Sequence, residues 1–135
     1  SSPSRSMKLL LDTHALLWMI TDDPRLSIAA KEAILTAEEI RWSIVSLWEI
    51  GIKESVSRFD MRLAPGWHEW IPAELKRNNV PCINVNADHC RAVSDLPMHH
   101  RDPFDRMLIA KAQVENLTLV TCDSSIKHYA VPQLW

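Results

Sequence analysis

Four acidic residues in this 135-residue chain fall at equivalent points of its pattern, and carboxylates gathered there could hold a divalent cation. Asp12 ends the apolar run 8–11, and Asp123 follows a second such run, 117–121. Glu49 stands one turn into the helical pattern after Val45, and Asp105 one turn into a helix that Asp102 and Pro103 announce as cap and first residue. Each has an ordinary explanation on its own. Asp12 and Asp123 can cap helices, Ser46-x-x-Glu49 has capping-box spacing, and Asp105 suits the positive end of its helix. Jointly they read differently, because four carboxylates within several ångströms repel one another strongly and caps alone give no reason to gather them. A divalent cation removes that objection.

Mg²⁺, or Mn²⁺ in its place, prefers oxygen donors, keeps several waters and is held by a few carboxylates together with substrate phosphate oxygens. The chemistry such a site suits is phosphodiester hydrolysis by metal-activated water. Other routes lack their residues: the chain has two glycines, no Walker-type loop and no nucleophile elbow. A phosphatase of small substrates would need an aspartate two residues beyond Asp12, where His14 stands. Thr13 and Thr121 could orient a carboxylate or a metal-bound water, or be ordinary turn and strand threonines. His14, His99 and His100 lie near the acidic positions, but oxygen-rich Mg²⁺ chemistry does not require them, and packing or loop contacts are the favoured reading. Lys53, Arg101, Arg106 and Lys111 are candidate phosphate contacts by proximity, and a solvated face explains them almost as well. Trp18 and Trp48 fall at helical core spacing and read as core or dimer contacts.

The elements that must position these residues alternate. Residues 8–11 predict a buried strand, followed by a helix with Ala15, Leu16, Trp18 and Met19 on one stripe. Ser27 caps a second helix, residues 40–45 predict a strand, and a helix runs from Leu47 to about Ser57. A loop over 58–66 leads to a helix over 67–78 that Pro72 must start, kink or split. A strand over 80–85, a helix capped by Asn86, a polar loop over 96–101, the helix over 103–115, the strand 117–121, a helical turn near 125–129 and an edge strand at 131–135 complete the pattern. Strands separated by helices predict an α/β fold with a mostly parallel sheet, whose carboxyl edge is the place for ligands.

Length fits a single domain over residues 7–135, and residues 1–6, Ser-Ser-Pro-Ser-Arg-Ser, read as an expression remnant outside it. Apolar residues make up 47% and charged residues 24%, which argues against extended disorder, and charges interrupt every apolar stretch too soon for a membrane span. Cys82, Cys90 and Cys122 are odd in number and never paired as C-x-x-C, so a reducing cytoplasm is expected rather than a disulfide framework. A net charge of -2 disfavours a strongly basic nucleic-acid binder, although metal at four carboxylates would turn the remaining charge positive.

The segments Asp12 to Trp18 (DTHALLW), Ser46 to Ile50 (SLWEI), His99 to Ala112 (HHRDPFDRMLIAKA) and Leu119 to Asp123 (LVTCD) resemble the PIN-domain ribonucleases, specifically the VapC-type toxins of bacterial toxin-antitoxin pairs. The resemblance spans residues 7–135. It implies a three-layer α/β/α domain, a Mg²⁺ or Mn²⁺ site, endonucleolytic cleavage of RNA, and neutralisation by a cognate antitoxin, with homodimers or antitoxin hetero-oligomers and contact with DNA only through the antitoxin. By position, Asp12, Glu49, Asp105 and Asp123 match the family's metal-site and catalytic carboxylates. Lys111 departs from it, standing where similar sequences often carry glutamine, as does the loop SVSRFD, which lacks the family's frequent glycine. A rival of another class is an antitoxin-binding module in a DNA-binding repressor complex with weak or no nuclease activity.

Overall fold

The computed structural model describes residues 7–58 and 62–135; the segment 1–6 and part of the SVSRFD loop lie outside the described residues. Strand β1 (Lys8–Leu11) leads into α1 (Thr13–Ile20), and α2 (Ile28–Thr36) returns the chain to β2 (Glu39–Ser43). Then come α3 (Ile44–Ser55), α4 (Trp67–Arg77), β3 (Cys82–Ile83), α5 (Ala87–Asp95), α6 (Pro103–Glu115), β4 (Thr118–Val120), a 3-10 turn at Ser124–Ile126 and β5 (Gln133–Leu134). Among the described residues the strands form one sheet in the order β3-β2-β1-β4-β5, every pairing parallel.

Leucines in β1 explain its central place. Leu9, Leu10 and Leu11 are fully buried, Leu9 and Leu11 in one cluster with Leu16, Trp18, Trp42, Ile71 and Leu75, and Leu10 in the other with Leu108, Ile109, Leu119 and Tyr129. Alternate side chains of one strand thus feed opposite layers, and each buried leucine contributes about 1.5–3 kcal/mol. The result is the expected α/β/α arrangement. Helix α3 packs against both α1 and α6, which places it across the carboxyl edge where the two layers meet.

Several predicted boundaries move, each for a local reason. The strand expected over 40–45 ends at Ser43, whose hydroxyl accepts from the Val45 N–H at 3.1 Å and caps α3. Ile44 and Val45, strand-like in type, are therefore the first turn of the helix, and Ser46 is inside it rather than a capping-box residue. With β2 leaving the sheet at Ser43, β3 has partners only for Cys82 and Ile83, so the strand expected over 80–85 is reduced to those two. Pro72 neither starts nor splits α4, which runs through it. Trp18 is in the core as expected, but Trp48 is 59% exposed and meets Phe104 edge-on at 5.0 Å.

Two basic residues read as phosphate contacts are instead interior. Lys111 is fully buried, its ammonium donating to Ser43 Oγ and to the Ile83 carbonyl at 2.8 Å, and burial lowers its pKa to about 8. It ties α6 to the ends of β2 and β3 and is turned away from any substrate. Arg106 is also buried and donates to the carbonyls of Pro97 (2.9 Å) and Val93 (3.2 Å) and to the Tyr129 hydroxyl (3.2 Å).

Candidate metal centre

β1 and β4 lie side by side, yet the chain reaches β2 from one and enters the 3-10 turn from the other, so crossovers diverge at their carboxyl ends. A crevice opens at such a point. Asp12 and Asp123 stand directly beyond those ends, α3 brings Glu49 from one side and α6 brings Asp105 from the other. All four line one cavity of about 180 Å³, with Thr13, His14, Lys53, His100, Asp102 and Cys122.

Each carboxylate is held by its own neighbours. Asp12 caps α1, accepting the Ala15 N–H at 2.8 Å, and also bonds the Thr121 hydroxyl. Thr121 Oγ1 in turn accepts the Asp123 N–H at 3.1 Å, so one hydroxyl spans the two strand ends. Thr13 donates to Glu49 Oε1 at 2.6 Å, while Lys53, one turn on, pairs with Oε2. Asp123 accepts from the Ser125 N–H at 2.9 Å and the Ser125 hydroxyl at 2.7 Å. Asp102 Oδ1 takes the N–H groups of Phe104 (2.8 Å) and Asp105 (3.2 Å), the cap that its Pro103 neighbour predicted.

Burial and mutual repulsion dominate the electrostatics. Burial pushes the Asp12 carboxyl up to about 6, against the Thr121 and Ala15 hydrogen bonds. Asp105 rises to about 7, first through burial and then through the charges of Asp102 and other carboxylates. At Asp123 burial also works against ionisation, but the Ser125 hydrogen bonds outweigh it and hold the group below its usual value. Lys53 loses solvation by burial and still ends with a raised pKa, because Glu49 and the nearby aspartates favour its charge. The donor set is therefore rich in hard oxygen, crowded and short of positive charge, which fits an oxygen-seeking divalent cation.

The threonines orient carboxylates, one of the roles open to them. Lys53 faces the cavity, and Arg101 is exposed at its own neighbouring groove. His14 lines the cavity with its ring 5.2 Å from that of Trp18, and His99 packs against Tyr129 and His128. His100 is the departure from the expectation that the histidines serve packing or loop contacts. Its Nε2 lies 2.9 Å from Asp105 Oδ2, and donor atoms of His100, Asp105 and Asp123 all fall within 4.8 Å of one another. Cys122 also lines the cavity and received no role from the sequence. The signal for His100 was available in its position, two residues before the Asp102 cap.

A parallel sheet in three layers, with acidic side chains converging at the switch point, defines the class of α/β proteins whose pocket is built for a cation. The PIN domain family model matches residues 9–132, and the chain belongs to that family. It is 27% identical over 126 residues to Ribonuclease VapC22 of Mycobacterium tuberculosis, covering 93% of this chain and 94% of that protein. Its fold is similar to VapBC2 of Rickettsia felis, solved bound to a DNA fragment from their promoter (TM-score 0.63, 18% identity, 95% of this chain and 98% of that one). FitAcB of Neisseria gonorrhoeae is similar too (TM-score 0.62, 14% identity, 94% and 96% covered).

Proposed function

We propose that this chain is a divalent-metal-dependent endoribonuclease and the toxin of a VapBC-type toxin-antitoxin pair, forming one domain over residues 7–135. The observation that carries this reading is the convergence of Asp12, Glu49, Asp105 and Asp123 on one cavity. The similarity to a named ribonuclease supports the nuclease activity, and the likeness to toxin-antitoxin complexes supports an antitoxin partner.

Asp12, Asp105 and Asp123 would hold Mg²⁺ or Mn²⁺, with Glu49 completing the set. When bound, the ion supplies a water activated for attack and neutralises phosphate charge. This chain's own residues set the geometry. Thr13 and Lys53 fix the Glu49 carboxylate, Thr121 spaces Asp12 from Asp123, and Ser125 orients Asp123 with one oxygen engaged. Arg101, exposed near the cavity, is left as a cation for the RNA backbone, whereas Arg106 and Lys111 are withdrawn into the interior.

Replacing Asp12 by Asn keeps a competent helix cap and removes one anionic donor. The purified variant should fold as the parent does and cleave structured RNA no faster than the parent in EDTA, and its expression should no longer arrest growth. Retention of full Mg²⁺-dependent cleavage would sink the assignment.

A further inference from the structure

His100 is not placed by accident. The loop that carries it is fastened by a buried arginine and a buried tyrosine: Arg106 donates to the Pro97 and Val93 carbonyls, and its Nη1 reaches the Tyr129 hydroxyl. That hydroxyl accepts the His100 N–H at 2.8 Å and lies 3.2 Å from the His100 carbonyl. The backbone of His100 is thus bracketed by one phenol. Its side chain is left to project over Asp105 at the cavity wall.

The separations then carry the argument. Two cis ligands of an octahedral ion, each at about 2.1 Å, lie about 3.0 Å apart. His100 Nε2 and Asp105 Oδ2 are 2.9 Å apart, and with an Asp123 oxygen their donor atoms stay within 4.8 Å of one another. The same spacing that makes a hydrogen bond without an ion is the edge of a coordination shell with one. Asp12 and Glu49 are not members of this closest group, and both Glu49 oxygens are engaged by Thr13 and Lys53.

We propose that His100 is an inner-sphere nitrogen ligand, completing with Asp105 and Asp123 a mixed nitrogen and oxygen centre that selects Mn²⁺ and later first-row ions over Mg²⁺. This rests on the metal-centre reading above and deepens it. Imidazole nitrogen suits Mn²⁺, Co²⁺ and Zn²⁺, whereas Mg²⁺ gains little from it. Neutral imidazole must supply the lone pair, so binding is favoured at pH values where His100 is deprotonated.

Three full-length proteins test it: the parent, His100→Gln and Asp12→Asn, each stripped of metal and compared by circular dichroism. Titration calorimetry with Mn²⁺ and Mg²⁺, and pulsed electron paramagnetic resonance of the Mn²⁺-loaded proteins, read binding and nitrogen ligation without reference to activity. The parent is expected to bind Mn²⁺ at least about tenfold more tightly than Mg²⁺ and to show ¹⁴N coupling from one imidazole. His100→Gln should lose that coupling and most of the preference while its Mg²⁺ affinity stays within about threefold of the parent's. Absence of ¹⁴N coupling in a parent that binds Mn²⁺ overturns the ligand assignment alone. An equal loss of Mn²⁺ and Mg²⁺ affinity in His100→Gln overturns it in favour of a role that only orients Asp105. A parent that binds neither ion overturns this inference and the nuclease reading together. Should His100→Gln misfold, the ¹⁴N measurement on the parent still decides.

Discussion

At Asp12 a single side chain caps a helix, bonds Thr121 and faces the cavity, and its raised pKa records what that position costs. Arg106 makes the opposite case at the same scale. Its type and its place beside Asp105 suggest a phosphate contact, yet its guanidinium is spent on carbonyls of the loop that carries His100. A lysine cannot reproduce that fan of donors from one planar group. Arg106→Lys is therefore expected to lower the unfolding free energy by about 1–3 kcal/mol in urea denaturation, leaving interior carbonyls unpaired. It should also loosen His100, so hydrogen exchange over residues 96–101 should accelerate. A variant with the parent's stability and weakened RNA binding would return Arg106 to the phosphate-contact role.

Among the elements, α3 and α6 carry the site, and their sequences advertise themselves unequally. Asp102 and Pro103 mark the start of α6 without ambiguity, and Asp105 follows one turn in as read. The start of α3 was misplaced, because Ile44 and Val45 continue an apolar run and only the capping hydroxyl of Ser43 shows where the strand stops. That shift rotates the face assignments along α3. Glu49 and Ile50 turn inward, while Ile44, Trp48 and Ile52 emerge as an exposed stripe. Trp48→Ala should thus cost about 1 kcal/mol, the worth of an edge contact with Phe104, whereas Leu108→Ala in the core of α6 should cost about 2–5 kcal/mol. Chemical denaturation of the two variants separates them. A large loss at Trp48 would restore it to the core.

For the molecule as a whole, the acidic crevice makes stability depend on pH in an unusual direction. Asp12 and Asp105 have folded pKa values of about 6 and about 7, above the ordinary carboxyl value. The folded chain therefore binds more protons than the unfolded one between about pH 4 and 7, and stability falls as pH rises through that window. Asp123, with a lowered pKa, contributes stability that is lost only as the pH drops below the ordinary carboxylate range. The metal-free protein should melt several degrees higher at pH 5.5 than at pH 8, and Mn²⁺ should recover more of the loss at pH 8, where protons no longer compete. A melting temperature that is flat or rises over this range would contradict the burial of these two carboxyls.

Alternation of apolar runs with amphipathic segments and punctuation by Asp102-Pro103, Ser27 and Asn86 determine the α/β class and most elements, because caps and periodicity are local. The positions of Asp12, Glu49, Asp105 and Asp123 were also legible, since in a parallel sheet everything that follows a strand arrives at the same edge. Which side chains meet there was decided by tertiary structure alone. His100 reaches Asp105 only because Arg106 and Tyr129 fasten its loop from different elements. Lys111 is buried only because β2 and β3 offer Ser43 Oγ and the Ile83 carbonyl at the height of α6. Those contacts join residues 28 and 68 positions apart, a range over which no local pattern carries information.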